Sequence, residues 1–180
     1  MPADGTEMRE ATYEDAMSGA AWFALRTSPR HEKRVHARLV ARGIESFLPL
    51  WERWSRWKDR RKMIETPLFP GYCFARFRGR DRSTVVKTVG VVGVVGSRKG
   101  PEPVDEREID SLRTLVRSQI EYDPHPGLRE GDPVEVVRGP LMGVRGLLIR
   151  REPRCRLLIY VNVIRQGAVV EIDAADVAPA

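Results

Sequence analysis

With two cysteines and three histidines in 180 residues, the chain has little material for a metal centre, a disulfide framework or a thiol–imidazole catalytic pair. Cys73 and Cys155 each sit inside an apolar, strand-like run and read as small buried hydrophobes, which suits a reducing cytoplasm. His31, His36 and His125 are scattered, with no Ser/His/Asp or Cys/His constellation and no paired ligand spacing. The glycine-rich stretch from Gly90 to Gly100 lacks the Lys-Ser/Thr pair of a phosphate-binding loop. Neither an enzyme nor a cofactor nor a metal is expected. No run reaches the roughly eighteen apolar residues of a membrane-crossing helix. No basic segment followed by an apolar one opens the chain, so export is not expected. The reading is a cytoplasmic protein with no membrane partner.

Charge is unevenly spread. Residues 1–20 carry one Arg against five acids, a net −4. Residues 21–120 carry 22 Lys/Arg against 11 Asp/Glu, a net +11, and residues 121–180 carry 8 against 9, a net −1. All the excess positive charge therefore lies in the middle segment. That balance favours a polyanionic partner held in a salt-dependent way, although a basic face also serves simple solubility.

Local patterning divides the chain into pieces. Residues 1–20 are polar, acidic and without apolar periodicity, and are expected to be a disordered tail. Trp22–Thr27 reads as a strand. Ser28-Pro29 then supplies a helix cap and first helical residue, and the helix is expected to run to about Arg42 and stop at Gly43. Val35 and Leu39 face its core side. Arg30, Arg34 and Arg38 recur every four residues on the opposite side, where like charges repel. Such a face is suited to phosphate, or is simply solvated; Glu32 relieves only part of the repulsion.

Ile44–Leu50 reads as a strand. Trp51–Lys62 interleaves three tryptophans with basic residues, either a helical stripe or a hairpin arm; such residues stack on single-stranded bases or cover a core with rings and stems. Met63–Phe77 is expected to be a strand pair around a Pro70-Gly71 turn, with Tyr72, Phe74 and Phe77 giving apolar groups on both faces of the second strand. Asp81–Val89 is a short helix and Val91–Gly96 a strand. Asp105–Ile120 is a second long helix, with Asp105 and Glu108 as a capping box and Ile109, Leu112 and Leu115 as core stripe. Tyr122–Gly127, with two prolines and a glycine, reads as a linker. Four or five short β segments follow, as in a small barrel. The fold class expected is α+β: residues 21–121 as an antiparallel sheet flanked by helices, 122–128 as linker, and 129–180 as a small β-barrel.

Two motifs carry a resemblance. One is Pro67–Phe77, where Phe69 and Tyr72 bracket a rigid turn. The other is Gly131–Gly146, a strand, a Gly-Pro loop and two glycines entering the next strand, similar to a KOW motif. With Trp22-Phe23, Ser28–Lys33 and Phe47–Pro49 they make the chain, from Ala21 to Ala180, resemble the NusG family of transcription elongation factors. The sheet domain then corresponds to an NGN domain. The segment Ser28–Tyr72 is more similar to the specialised NusG paralogues, the RfaH- and UpxY-like antiterminators.

The resemblance implies a monomeric factor. It would dock on the clamp helices of the largest catalytic subunit of RNA polymerase through Trp22, Phe69, Pro70 and Tyr72, suppressing pausing and termination. It further implies a gate-loop contact at Arg82, Ser83 and Thr84, and a contact of Ser28, Arg34 and Arg38 with the non-template DNA strand; helical spacing alone adds Arg30 to that set. In the barrel, Leu141, Met142 and Ile164 correspond to loops that recruit a small-subunit ribosomal protein or a termination factor, though each also fits a barrel core. The β-branched content of the last sixty residues favours a permanent barrel over a helical alternative state. Two further readings stay open: a general NusG-type factor that promotes helicase-dependent termination, and a ribosome- or RNA-binding KOW protein.

Overall fold

Strand β1 (Ala21–Thr27) is the apolar run Trp22-Phe23-Ala24-Leu25, and all four of those residues are buried, as expected for a strand covered on both faces. The computed structural model describes residues 19–57, 60–118, 122–126, 131–151, 154–173 and 176–180. The acidic segment 1–18 and residues 127–130 of the linker region lie outside the described residues. Two units are present: residues 1–48 with 70–105, and residues 49–69 with 106–180.

In the first unit, β1 is followed by helix α1 (Glu32–Ala41) and strand β2 (Glu45–Phe47). The helix begins three residues later than the Ser-Pro pattern suggests. Arg30 sits at φ 61°, and the His31 amide donates to the Ser28 carbonyl at 3.0 Å, so a separate turn precedes the helix. Its end follows expectation: Gly43 and Ile44 amides donate to the Val40 and Leu39 carbonyls, the paired bonds of a Schellman motif. Val35 and Leu39 are buried against the sheet side.

The hairpin of β3 (Leu50–Trp57) and β4 (Arg60–Pro67) runs in register from Leu50 opposite Pro67 to Trp57 opposite Arg60, which decides for the hairpin arm over the helical stripe. Strand β5 (Tyr72–Phe77) does not pair with β4, contrary to the expected strand pair. It lies between β1 and β2, with Arg26 opposite Tyr72 and Phe47 opposite Phe74. The Pro70-Gly71 turn therefore links strands with different partners, a nonlocal choice that local pattern does not encode.

A 3-10 turn (Gly79–Asp81) and helix α2 (Arg82–Val86) follow, shorter than the helix read from 81 to 89. Then come β6 (Val91–Val94), β7 (Gly96–Ser97), β8 (Gly100–Pro101) and β9 (Pro103–Val104). β6 and β9 both pair antiparallel with the free side of β1, giving the order β2-β5-β1-β6 with β9 beside β6's position. The Phe23 and Phe77 rings meet at a tilt of 34° with centroids 4.7 Å apart in this core.

The second unit contains, besides the hairpin, helix α3 (Glu106–Ser118) and a six-stranded antiparallel sheet. Its strands are β10 (Tyr122–Pro126), β11 (Asp132–Val136), β12 (Arg145–Arg151), β13 (Arg154–Val161), β14 (Gln166–Ile172) and β15 (Val177–Pro179). The stripe Ile109, Leu112, Leu115 is fully buried, and α3 lies against β12 and β13. The Asn162 amide donates to the Glu108 carboxylate at 3.3 Å, and the Arg145 amide to the Ser111 hydroxyl at 3.4 Å.

Tyr122–Pro126, read as linker, is a strand paired with β14 at the edge of the sheet. Pro124 and Pro126 are two residues apart, so both missing amides fall on the same side, the unpaired edge where proline is tolerated. Gly146 enters β12 where a Cβ would collide with the Leu158 carbonyl and Leu157, so strand approach, and not a turn, requires glycine there. The C-terminal region is strands joined by turns, with no α-helix among the described residues after Ser118, and the α+β class with antiparallel sheets stands.

Candidate functional site

The Pro70-Gly71 turn is held from both sides. The Thr27 amide, at the end of β1, donates to the Gly71 carbonyl at 2.8 Å. The Gly71 amide donates to Glu32 Oε1, on the first residue of α1, at 2.7 Å. Gly71 has φ 84°, a left-handed conformation that glycine adopts at little cost. Pro70 is exposed and Tyr72 half-buried, while the next three residues of β5 are buried.

The four residues expected to form an apolar docking patch are not equivalent. Trp22 and Phe69 are each only 2% exposed. The register places Trp22 opposite Arg76 and Tyr72 opposite Arg26. Four residues at about 3.3 Å each separate the two rings' strand positions by roughly 13 Å. Pro70 and Tyr72 offer surface at the turn; Trp22 and Phe69 are core.

The basic residues also divide. Ser28 and Arg30 lie in the turn before α1, and Arg34 and Arg38 are exposed on the helix. Arg38 Nη1 donates to the Val89 carbonyl at 2.6 Å. Arg42, one turn further, donates to the Thr84 carbonyl at 3.2 Å and the Thr88 hydroxyl at 2.9 Å. Two cations of the stripe are thus tied to the end of α2, where helix carbonyls lack intrahelical partners and favour positive charge. This bonding also brings the α2 residues Arg82, Ser83 and Thr84, all exposed, beside the C-terminal end of α1.

Beneath α1, His36 Nδ1 is 2.9 Å from the Ser46 hydroxyl, which donates to the Phe74 carbonyl at 3.0 Å. With the hydroxyl proton so committed, Nδ1 carries the hydrogen. Burial lowers the His36 pKa from its ordinary value. Cys73 Sγ lies 3.4 Å from the same hydroxyl, and burial pushes its thiol up to about 11. A His, a Ser and a Cys therefore meet, but the thiol stays protonated at neutral pH and has no exposed surface, so the cluster joins α1 to β2 and β5 without nucleophilic capacity.

Of the barrel-loop residues, Met142 is 67% exposed, with Val137 also exposed nearby in sequence, whereas Leu141 and Ile164 (8%) are buried. Two residues of the site escaped the sequence reading. Arg42 continues the spacing of Arg34 and Arg38 and was legible as such; the inward turn of Glu32 had no local signal.

Comparison with known proteins shows the family and the likeness of fold. A family profile described as transcription termination factor nusG matches residues 20–113, more than half of the chain. Proteins named transcription termination/antitermination protein NusG are similar over nearly their whole length. That of Thermus thermophilus is 28% identical, covering 88% of this chain and 98% of its own. That of Deinococcus radiodurans is 26% identical, covering 87% and 97%. That of Streptococcus pyogenes serotype M3 is 25% identical, covering 87% and 94%. The solved structure described as domain interaction in Thermotoga maritima NusG superposes with a TM-score of 0.53 at 20% identity, covering 91% of this chain and 98% of that one, a likeness of fold.

The His36 geometry carries a pH dependence. Because its folded pKa is depressed, the unfolded chain takes up the proton first as pH falls below about 6.5. Stability is therefore expected to fall as pH drops below 6.5, and His36→Gln should flatten that part of the profile in denaturant melts; an unchanged slope would contradict the buried neutral imidazole.

Proposed function

Because the chain belongs to the NusG family of transcription termination/antitermination factors, which are not enzymes, we propose that it docks on RNA polymerase through the Pro70-Gly71 turn and acts on pausing and termination. The observation that carries this is the exposed Pro70 beside half-buried Tyr72, on a turn fixed by hydrogen bonds to both its amide and its carbonyl. A preformed apolar turn loses little conformational freedom on binding. The surface it meets is the clamp-helix pair of the largest catalytic subunit. Pro70 and Tyr72 make the contact, and Trp22 and Phe69 contribute from the core. A ligand that binds the closed clamp better than the open one shifts that equilibrium by its differential affinity.

Residues 21–121 form the polymerase-binding domain and residues 129–180 the KOW domain in this reading. Ser28, Arg30 and Arg34 face the non-template strand; Arg38 joins them with one nitrogen already committed to Val89. Arg82, Ser83 and Thr84 are the gate-loop contact. Met142 is the exposed member of the KOW partner surface, for a small-subunit ribosomal protein or a termination factor. The effect proposed is antitermination, as in the specialised paralogues. A general factor that assists helicase-dependent termination is the second reading; the relatives in Thermus, Deinococcus and Streptococcus carry names that pair termination with antitermination and fit either.

Single-round transcription over a pause and a terminator tests the reading. Tyr72→Ala is the variant of choice, since truncating buried Phe69 would cost about 3–5 kcal/mol of fold stability. Wild type is expected to speed pause escape and raise readthrough, and Tyr72→Ala to lose both. Increased termination with the helicase present would favour the general factor, and no polymerase binding by wild type would overturn docking. For the basic face, Arg34→Ala should lower the slope of log affinity against log salt, for the elongation complex with an exposed non-template strand, by about one unit. An unchanged slope would remove Arg34 from the DNA contact.

A further inference from the structure

Glu32 is the only acid between Arg26 and Gly43, a stretch that also holds six Lys/Arg and two histidines. Electrostatics alone would turn its carboxylate outward among those cations. The residue is instead 6% exposed, and the hydrogen bond that its carboxylate makes among the described residues is to the Gly71 amide, at 2.7 Å. A carboxylate taken out of water needs strong donors in return, and a charge-assisted bond to a backbone amide is one of the few available inside a fold. In the next peptide unit, the Gly71 carbonyl accepts from the Thr27 amide.

A Cβ added at Gly71 would meet no atom within 4 Å, so lack of space does not require glycine there. Glycine is needed there for its φ of 84°, and two hydrogen bonds hold its amide and its carbonyl, the one to Glu32 made by a side chain.

We propose that Glu32 is a positioning residue: its buried carboxylate holds the Gly71 amide so that Pro70 and Tyr72 are preset in the binding-competent turn. The inference rests on the docking reading above. If the turn samples other conformations once the acceptor is lost, apparent affinity falls by the fraction still competent. Gln keeps a carbonyl oxygen at the same reach, so Glu32→Gln should restore the turn. Asp is one methylene shorter and Ala has no acceptor, so neither should.

The test uses the full chain and core RNA polymerase, with equilibrium affinity measured for wild type, Glu32→Ala, Glu32→Asp, Glu32→Gln and Tyr72→Ala. Thermal melts and Gly71 amide exchange by NMR accompany each. Expected are about tenfold weaker binding for Ala and Asp, near-wild-type binding for Gln, and faster Gly71 exchange in Ala and Asp alone. A merely structural role would lower melting temperature without this order of affinities. Should Glu32→Ala fail to fold, the Asp–Gln pair carries the test. Weak binding by Tyr72→Ala together with wild-type affinity and wild-type Gly71 exchange in Glu32→Asp overturns the inference and leaves docking standing. Wild-type affinity in Tyr72→Ala overturns the docking reading and the inference with it.

Discussion

Two successive amides at the end of β1 hold the surface together. Neighbouring residues of a strand point their backbone groups to opposite sides. Thr27 donates to the Gly71 carbonyl and Ser28 to the Gly90 carbonyl, both at 2.8 Å. One strand end thus fixes the Pro-Gly turn on one flank and the turn into β6 on the other, with α1 starting just beyond. Gly90 leaves little room here, since a Cβ would come 2.8 Å from the Val35 methyl. Side-chain bonds complete the linkage: Glu32 of α1 holds the Gly71 amide, and Arg38 of α1 and Arg42 just beyond it bond to carbonyls at Val89 and Thr84.

The charge of the first unit is organised by the same contacts. Positive residues on α1 repel one another, and the structure relieves this by directing Arg38 and Arg42 to the carbonyl-rich end of α2. Arg34 stays exposed, as does Arg30 at φ 61° in the preceding turn. The negative charge that could have neutralised them is spent inside, on Gly71. A basic face whose local acid is turned inward is better suited to a polyanion than composition alone suggests.

What was legible in the sequence was whatever local pattern decides. The apolar run of β1, the stripe Ile109, Leu112, Leu115 and the end of α1 at Gly43 all follow from periodicity or from one residue's backbone preference. The start of α1 was misread because Ser-Pro is a good helix opening in isolation, and nothing local announces a left-handed Arg30. The partner of β5 and the strand character of Tyr122–Pro126 were missed for another reason: pairing is decided by distant strands. Within the candidate site, aromatic identity pointed to Trp22 and Phe69, but both are only 2% exposed, and Trp22 lies between β5 and β9, strands distant in sequence whose pairing spacing does not reveal. Met142 was separable from Leu141 only by structure, since adjacent apolar residues in a loop carry no period.

The central claim is that the surface around Tyr72 meets the largest subunit of RNA polymerase. A photoreactive phenylalanine analogue placed at position 72, irradiated in a reconstituted elongation complex and mapped by peptide mass spectrometry, reads that contact directly. The expected crosslink falls in the clamp helices of the largest subunit and is absent when the analogue replaces Val40, an exposed residue late on α1. Crosslinks from position 72 only to nucleic acid, to ribosomal protein or to nothing, in a complex the protein demonstrably enters, would contradict it.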